Sequence, residues 1–191
     1  ATLTRMLKEV RPAQRLPRPY PGRPSDTVAQ RAVPMGIIPW DTPEPGHFEV
    51  DLVHHGAPDD HGRVLCTLQF IDVLTGWSER FAIAGTGFEA VYGGMLAFKA
   101  HCPVPIREVH SDNGSEFINH HLLRWCDHRQ ITFSRGRSNH SNDQAHIEQK
   151  NWSEVRRAVG YYRYDTTREL DLLNELWPLQ SILDNLFLPQ Q

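Results

Sequence analysis

The chain has 191 residues, 39% of them hydrophobic, enough for one sizeable core with tails to spare. No apolar run approaches the length that spans a bilayer, and the chain start lacks the pattern of a secretory signal. A formal net charge of −3 does not by itself point to a polyanion partner, but the charge is uneven: up to Arg31, Arg5, Lys8, Arg11, Arg15, Arg18, Arg23 and Arg31 face only Glu9 and Asp26. Cys66, Cys102 and Cys126 are scattered, with no Cys-x-x-Cys spacing, so a structural zinc site is not expected; reduced, mostly buried thiols in a cytoplasmic protein are. The first residue is Ala1 rather than Met, which suggests an excised fragment.

Residues 1–45 are rich in Pro and Arg and read as an extended basic arm or linker, with a short helix at 2–10 and with Ile37, Ile38 and Trp40 as anchors. A central domain over 46–165 follows. Phe48, Val50 and Leu52 alternate with Glu49, Asp51 and Val53, the period of a strand over 48–54. A polar turn leads to a mostly apolar strand over 64–72, and Thr75-Gly76 turns the chain into a third strand over 77–84. Phe88, Val91, Tyr92, Met95 and Phe98 recur at helical spacing over 87–101. Gly93-Gly94 inside that helix lowers its propensity by about 1 kcal/mol each, and close packing on a sheet would be a reason to keep them. Pro103 and Pro105 open onto a strand over 106–109, then a helix over 115–127, a short strand over 131–133, and a helix over 143–162 capped by Ser141 or Asn142. Pro178 is expected to divide a last helical region, 167–188, in a C-terminal extension over 166–191. Leu170, Leu173, Leu176, Ile182, Leu183 and Leu186 there face the core or another chain. The expected fold is α/β: a five-stranded mixed sheet, three strands antiparallel and then two parallel, flanked by helices.

Three carboxylates stand out. Asp51 lies mid-strand among apolar residues. Asp112 ends an apolar strand at a Gly-containing turn, where open sheets place ligands. Glu148 lies one step of four before Trp152, and Trp152, Val155, Val159 and Tyr162 step like a buried helical stripe, so Glu148 is expected on the face toward the sheet. A buried carboxylate needs a partner, a proton or a metal. Like charges brought together raise a pKa, and divalent cations relieve that; Mg²⁺ prefers such oxygen donors, and a pair of ions can hold the attacking and leaving oxygens of phosphoryl transfer. The residues thus point to a site that cuts or joins nucleic acid. Glu49 is a candidate fourth carboxylate or a salt-bridge partner, and His54 lies near on the same strand.

The ordered set resembles the catalytic core of the DDE transposases and retroviral-type integrases, with their ribonuclease H-like fold. The matching pieces are Phe48-Glu49-Val50-Asp51-Leu52, then His110-Ser111-Asp112-Asn113-Gly114-Ser115-Glu116-Phe117, then Asn142-Asp143-Gln144-Ala145-His146-Ile147-Glu148-Gln149-Lys150-Asn151, with 35 residues between Asp112 and Glu148. The last piece looks most like bacterial insertion-sequence transposases. The resemblance covers about 40–165. It implies Asp51, Asp112 and Glu148 as catalytic metal ligands, Mg²⁺ or Mn²⁺ as cofactor with two ions when DNA is bound, and DNA ends and target DNA as partners. It also implies a homo-oligomer in the active complex, no membrane, and a bacterial cytoplasmic setting. The reaction implied is 3'-end hydrolysis followed by strand transfer.

Asn113, Arg135, Arg137, Lys150, Asn151 and Arg156 are the candidate DNA contacts. The arm over 1–45 is either a linker or a contact to DNA or a partner subunit. The chain departs from the viral integrases where two lysines follow the glutamate: Trp152 and Val155 stand there and read as core. Two other readings stay open: a ribonuclease H-like nuclease that only hydrolyses, and a non-catalytic DNA-binding or assembly module.

Overall fold

The computed structural model describes residues 33–39, 41–59, 64–114, 116–137 and 144–188. The helix expected at 2–10, the Trp40 anchor and the Ser141 or Asn142 cap lie outside the described residues. Strands β1 (His47–His54), β2 (Leu65–Asp72) and β3 (Ser78–Ala84) form an antiparallel meander. Helix α1 (Phe88–His101) crosses to β4 (Glu108–Ser111), which runs parallel to β1; α2 (His120–His128) then leads to β5 (Thr132–Arg135), parallel to β4. The five strands lie in the order β3-β2-β1-β4-β5. This is the expected mixed sheet.

The alternation in β1 sorts the sheet into two faces. Phe48, Val50 and Leu52 point to a core shared with Met95 and Phe98 of α1 and Leu122 and Trp125 of α2. Phe98 is the hinge of that layer, stacked on Phe70 at 3.8 Å and edge-on to Phe48 at 4.8 Å between centroids. The opposite face carries a smaller apolar cluster of Val53, Leu65, Ala82, Val155, Leu173 and Trp177. Two helices cover it. The first runs as Ala145–Lys150, widens into a π-helical stretch over Asn151–Arg156, and closes as Arg157–Val159; we call the continuous helix α3. The second, α4 (Thr167–Leu186), starts with a capping box in which Thr166 and Glu169 bond reciprocally.

Several boundaries differ from expectation. β4 runs two residues later than 106–109, because polar His110 and Ser111 pair with β1 on one side and β5 on the other. β5 likewise extends to Arg135. α2 begins at His120 rather than 115, because the Asn119 side chain accepts from Leu122 N at 2.9 Å and sets the cap there. α3 ends at Val159, before Gly160 with φ 72°. Pro178 does not divide the last helix. Asn174 grips Ala82 N and O at 2.9 and 3.0 Å, and Asn185 grips Ser78 N and O at 2.8 Å each. Two side-chain amides flanking the proline thus stand in for a strand along the open edge of β3, and that tertiary clamp offsets a helix-interior proline. Leu173 is buried and Leu170 half-buried as expected, whereas Leu176, Ile182, Leu183 and Leu186 face outward. The other sheet edge is met by residues 33–36, where Arg135 N donates to Pro34 O and Gly36 N to Arg135 O, both at 3.0 Å. Ile38 is buried and Ile37 exposed.

Candidate active site

Asp51 sits on the face of β1 toward α3. The parallel register pairs Val50 with Ser111, so Asp51 and Asp112 follow next on neighbouring strands. Asp51 Oδ1 accepts from Leu52 N at 2.8 Å and Oδ2 accepts from Asn151 Nδ2 at 2.6 Å. Burial pushes the Asp51 carboxyl up to about 6, with the charges of Asp112 and Glu116 adding to the rise and the two hydrogen bonds opposing it. Asp112 is exposed at the open end of β4, where its Oδ1 accepts from Gly114 N at 2.8 Å. Asn113 spans two strands' ends: its Oδ1 accepts from Arg135 Nη1 at 2.5 Å and its Nδ2 donates to Gly136 O at 2.9 Å.

Glu148 lies exposed near the start of α3. Its position depends on Glu49, which is buried and accepts from Ile147 N at 2.9 Å. Burial lifts the Glu49 carboxyl to about 7, the Ile147 bond opposes this, and the charge of Glu148 adds to it. Glu49 is buried, with no ion pair among the described residues, and it caps the first turn of α3 from the sheet. Gln144 reinforces the attachment, donating to Val50 O and His110 O at 3.4 Å each.

The buried stripe of α3 is not the expected one. Trp152 is 58% exposed and Tyr162 73%, while Ile147 and Val155 are fully buried and Asn151 is half-buried. In the π-helical stretch the wider i→i+5 turn keeps Ile147, Asn151, Val155 and Val159 over the sheet at a constant step of four. Glu148 and Trp152 fall together on the adjacent, outward face. Glu154 is buried as well, and it anchors a polar network beneath the helix. Its Oε2 accepts from Ser78 Oγ at 2.5 Å and Gln69 Nε2 at 3.1 Å, and its Oε1 pairs with Lys150 Nζ at 2.8 Å. Arg80, also buried, lies 3.6 Å from Glu154 and pairs with Asp184 of α4 at 2.6 Å. Lys150 is thus engaged by Glu154. Arg156 donates to His54 O at 2.7 Å, and Arg137 is exposed beyond β5.

The structure therefore brings Asp51, Asp112, Glu116 and Asn151 into one neighbourhood, and Glu148 into that of Glu49. Among the described residues, no three His, Cys, Asp or Glu side chains stand ready to hold one metal ion.

The integrase core domain family model matches residues 41–141. This chain belongs to that family. The matched span holds Asp51 and Asp112 and stops before Glu148. The integrase core is 33% identical over 190 residues to the protein y4rM of Sinorhizobium fredii (strain NGR234), covering 99% of this chain but 54% of that protein, so it spans about half the length of this curated relative. The fold is that of the BIV integrase catalytic core domain (TM-score 0.56, 16% identity, 76% of this chain and 87% of that one). It is equally that of the HTLV-2 integrase catalytic core domain, solved in complex with magnesium in a dimeric form (TM-score 0.55, 14% identity, 77% and 91%).

Three residues of this integrase core escaped sequence reasoning as site components. Glu116 lay inside the motif, but only the fold shows it acting on Asp51. Glu154 and Arg80 carry no local signal, since their burial depends on the phase of α3 and on α4 crossing β3. The donor chemistry at Asp51 and Asp112 is hard oxygen, the kind that Mg²⁺ and Mn²⁺ take and that softer metals do not favour. No helix is long and apolar enough to cross a membrane among the described residues.

Proposed function

We propose that this protein breaks and joins DNA by metal-dependent polynucleotidyl transfer, with Asp51, Asp112 and Glu148 as the acidic set. The observation that carries this reading is the half-buried Asp51, its carboxyl raised to about 6, beside Asp112 and Glu116 in a chain of the integrase core family. Carboxylates gathered this way repel one another unless a cation lies among them. Mg²⁺ or Mn²⁺, two ions with DNA bound, would be held by Asp51, Asp112 and Glu148 and would supply the positive charge that phosphoryl transfer requires.

The chain's own residues divide the remaining work. Asn151 holds one oxygen of Asp51 and so sets the orientation of the other. Glu49 and the Glu154 network fix α3, and through it the height of Glu148 above the sheet. Asn113, Arg135, Arg137 and Arg156 line the approach as contacts to DNA phosphates, while Lys150 is drawn to Glu154 instead. Water attacks the phosphodiester at a DNA end and frees a 3'-OH, which then attacks a target-strand phosphate. The active form is a homo-oligomer in the bacterial cytoplasm acting on chromosomal or plasmid DNA. The exposed residues Leu172, Leu176, Leu179, Leu183 and Leu186 support self-association: they step by four and three along α4, a self-complementary helix–helix seam.

Glu148's exposure favours a second reading, a non-catalytic DNA-binding module. Nicking of supercoiled plasmid in Mn²⁺, with joining of a 3'-OH oligonucleotide to it, separates the readings. Joining that is lost in Asp51→Asn, Asp112→Asn and Glu148→Gln supports transfer. Nicking without joining indicates a nuclease. DNA binding with neither, together with no Mn²⁺ binding by calorimetry, indicates the module.

A further inference from the structure

Four large aromatic side chains are exposed among the described residues: Trp152 at 58%, Tyr161 at 74%, Tyr162 at 73% and Phe187 at 72%. Three of the four lie along the outward side and end of α3, the helix that carries Glu148. Each of the first two carries a cation on a ring face: the Arg157 guanidinium is 5.9 Å from the Trp152 centroid and that of Arg156 is 4.8 Å from the Tyr161 centroid. The arrangement is built rather than incidental. Arg156 is pinned by His54 O at 2.7 Å and Gly160 O at 3.5 Å, which sets its guanidinium over Tyr161. Gly160 has φ 72°, and a Cβ there would come within 3.1 Å of the Tyr162 ring, so a glycine both makes the turn and leaves room for that ring.

Trp152 shares its helix face with Glu148, one turn away. A lysine so close to buried carboxylates is captured by them, as Lys150 is by Glu154 at 2.8 Å. An aromatic ring is not. It can hold a base by stacking beside acidic groups that repel phosphate, while Arg156 and Arg157 attract the strand. Trp, Tyr and Arg also mark protein interfaces. The paired cations and the position beside Glu148 favour nucleic acid.

We propose that Trp152, with Tyr161 and Tyr162, is a stacking platform for an unpaired base of the DNA strand that reaches the acidic site. This rests on the reading that DNA is the partner. The platform would recognise a frayed end or a single-stranded overhang rather than continuous duplex, and it would do so without regard to base identity, because every base has a π-face.

The test is fluorescence anisotropy of the full 191-residue chain with short DNA duplexes, in EDTA so that the acidic site's metal plays no part. One duplex carries a short 3' overhang; its counterpart carries abasic sites in the overhang. The wild type should bind the base-bearing overhang roughly tenfold tighter than the abasic one. Trp152→Ala should bind both at the abasic level, Trp152→Phe should keep most of the preference, and an unchanged melting midpoint should show that the fold is intact. Equal affinity of the wild type for both duplexes, or an undiminished preference in Trp152→Ala, overturns the platform while leaving DNA as the partner. Absence of binding to either duplex overturns the platform and the DNA reading together.

Discussion

Asn151 donates a 2.6 Å hydrogen bond to the carboxylate of Asp51 across 100 residues of sequence. Its other amide atom, Oδ1, is buried with no hydrogen-bond partner among the described residues. The bond favours the charged form of Asp51 against the burial that disfavours it. Asn151→Ala should therefore raise the Asp51 pKa above about 6 and weaken Mn²⁺ binding by about 10- to 100-fold, the usual effect of losing a group that orients a metal ligand. Carbon-detected NMR titration and calorimetry read the two effects; an unmoved Asp51 titration would show that the contact does no orienting.

Arg80 joins Glu154 of α3 to Asp184 of α4, with all three side chains nearly free of solvent. Arg80→Met takes the guanidinium from buried Asp184 and leaves Glu154 to Lys150, and should destabilise the fold by about 3–5 kcal/mol in urea unfolding. Adding Asp184→Asn to it should restore much of that loss, because the buried charge that faced Arg80 is gone. A small effect of Arg80→Met alone would mean that water reaches the network.

Adjacent glycines in α1 should respond with opposite sign. A Cβ on Gly94 would lie 2.6 Å from Leu68 Cδ2 and 3.3 Å from Ile83 Cγ2, both in the core, whereas nothing lies within 4 Å of one on Gly93. Gly94→Ala should destabilise by about 1–3 kcal/mol through overpacking. Gly93→Ala should stabilise by about 0.5–1 kcal/mol through helix propensity. Thermal melts of the two variants side by side decide the matter.

Buried groups of opposite type give the metal-free protein two compensating pH responses. Burial raises Glu49 from 4.5 to about 7, so the folded state binds the extra proton and stability falls as pH rises through that window. Burial lowers His55 from 6.5 to about 4, with Arg156 and His54 adding to the effect, so the unfolded state binds the extra proton and stability is lost as pH falls from 6.5 toward 4. Glu49→Gln, which keeps an acceptor for Ile147 N, should remove the fall between 4.5 and 7, leaving the His55 rise set against the fall from Asp51, which burial raises from 3.8 to about 6. His55→Gln should remove the rise between 4 and 6.5, so that stability falls more steeply with pH there than in the wild type. Urea midpoints across pH 4–8 in EDTA test both, and parallel curves for wild type and variants would remove these two groups as the source.

The α4 seam makes a separate forecast. Leu179→Glu with Leu183→Glu puts like charges on an exposed apolar stripe and should shift the protein to monomer in sedimentation velocity. The melting midpoint of the monomer should change little, since neither side chain is buried.

What the sequence by itself determined was local. The two-residue alternation from Phe48 to Val53 set the strand and put Asp51 and Glu49 on one face, because side-chain direction in a strand follows from covalent geometry. The apolar run ending at Asp112, the Thr75-Gly76 turn and the helical recurrence from Phe88 to Phe98 were equally readable, and with them the mixed sheet and the family. Tertiary structure alone decided three things. The π-helical stretch at Asn151–Arg156 changed the phase of α3, turning Asn151 and Glu154 inward and leaving Glu148 and Trp152 outward, since periodicity presumes a uniform turn. The amides of Asn174 and Asn185 on β3 carried α4 straight past Pro178, since an edge strand needs partners that no local rule supplies. Burial at one sheet face raised Asp51 and Glu49, because a pKa depends on the charges and solvent that the fold brings near, and residues far apart in the chain supply both.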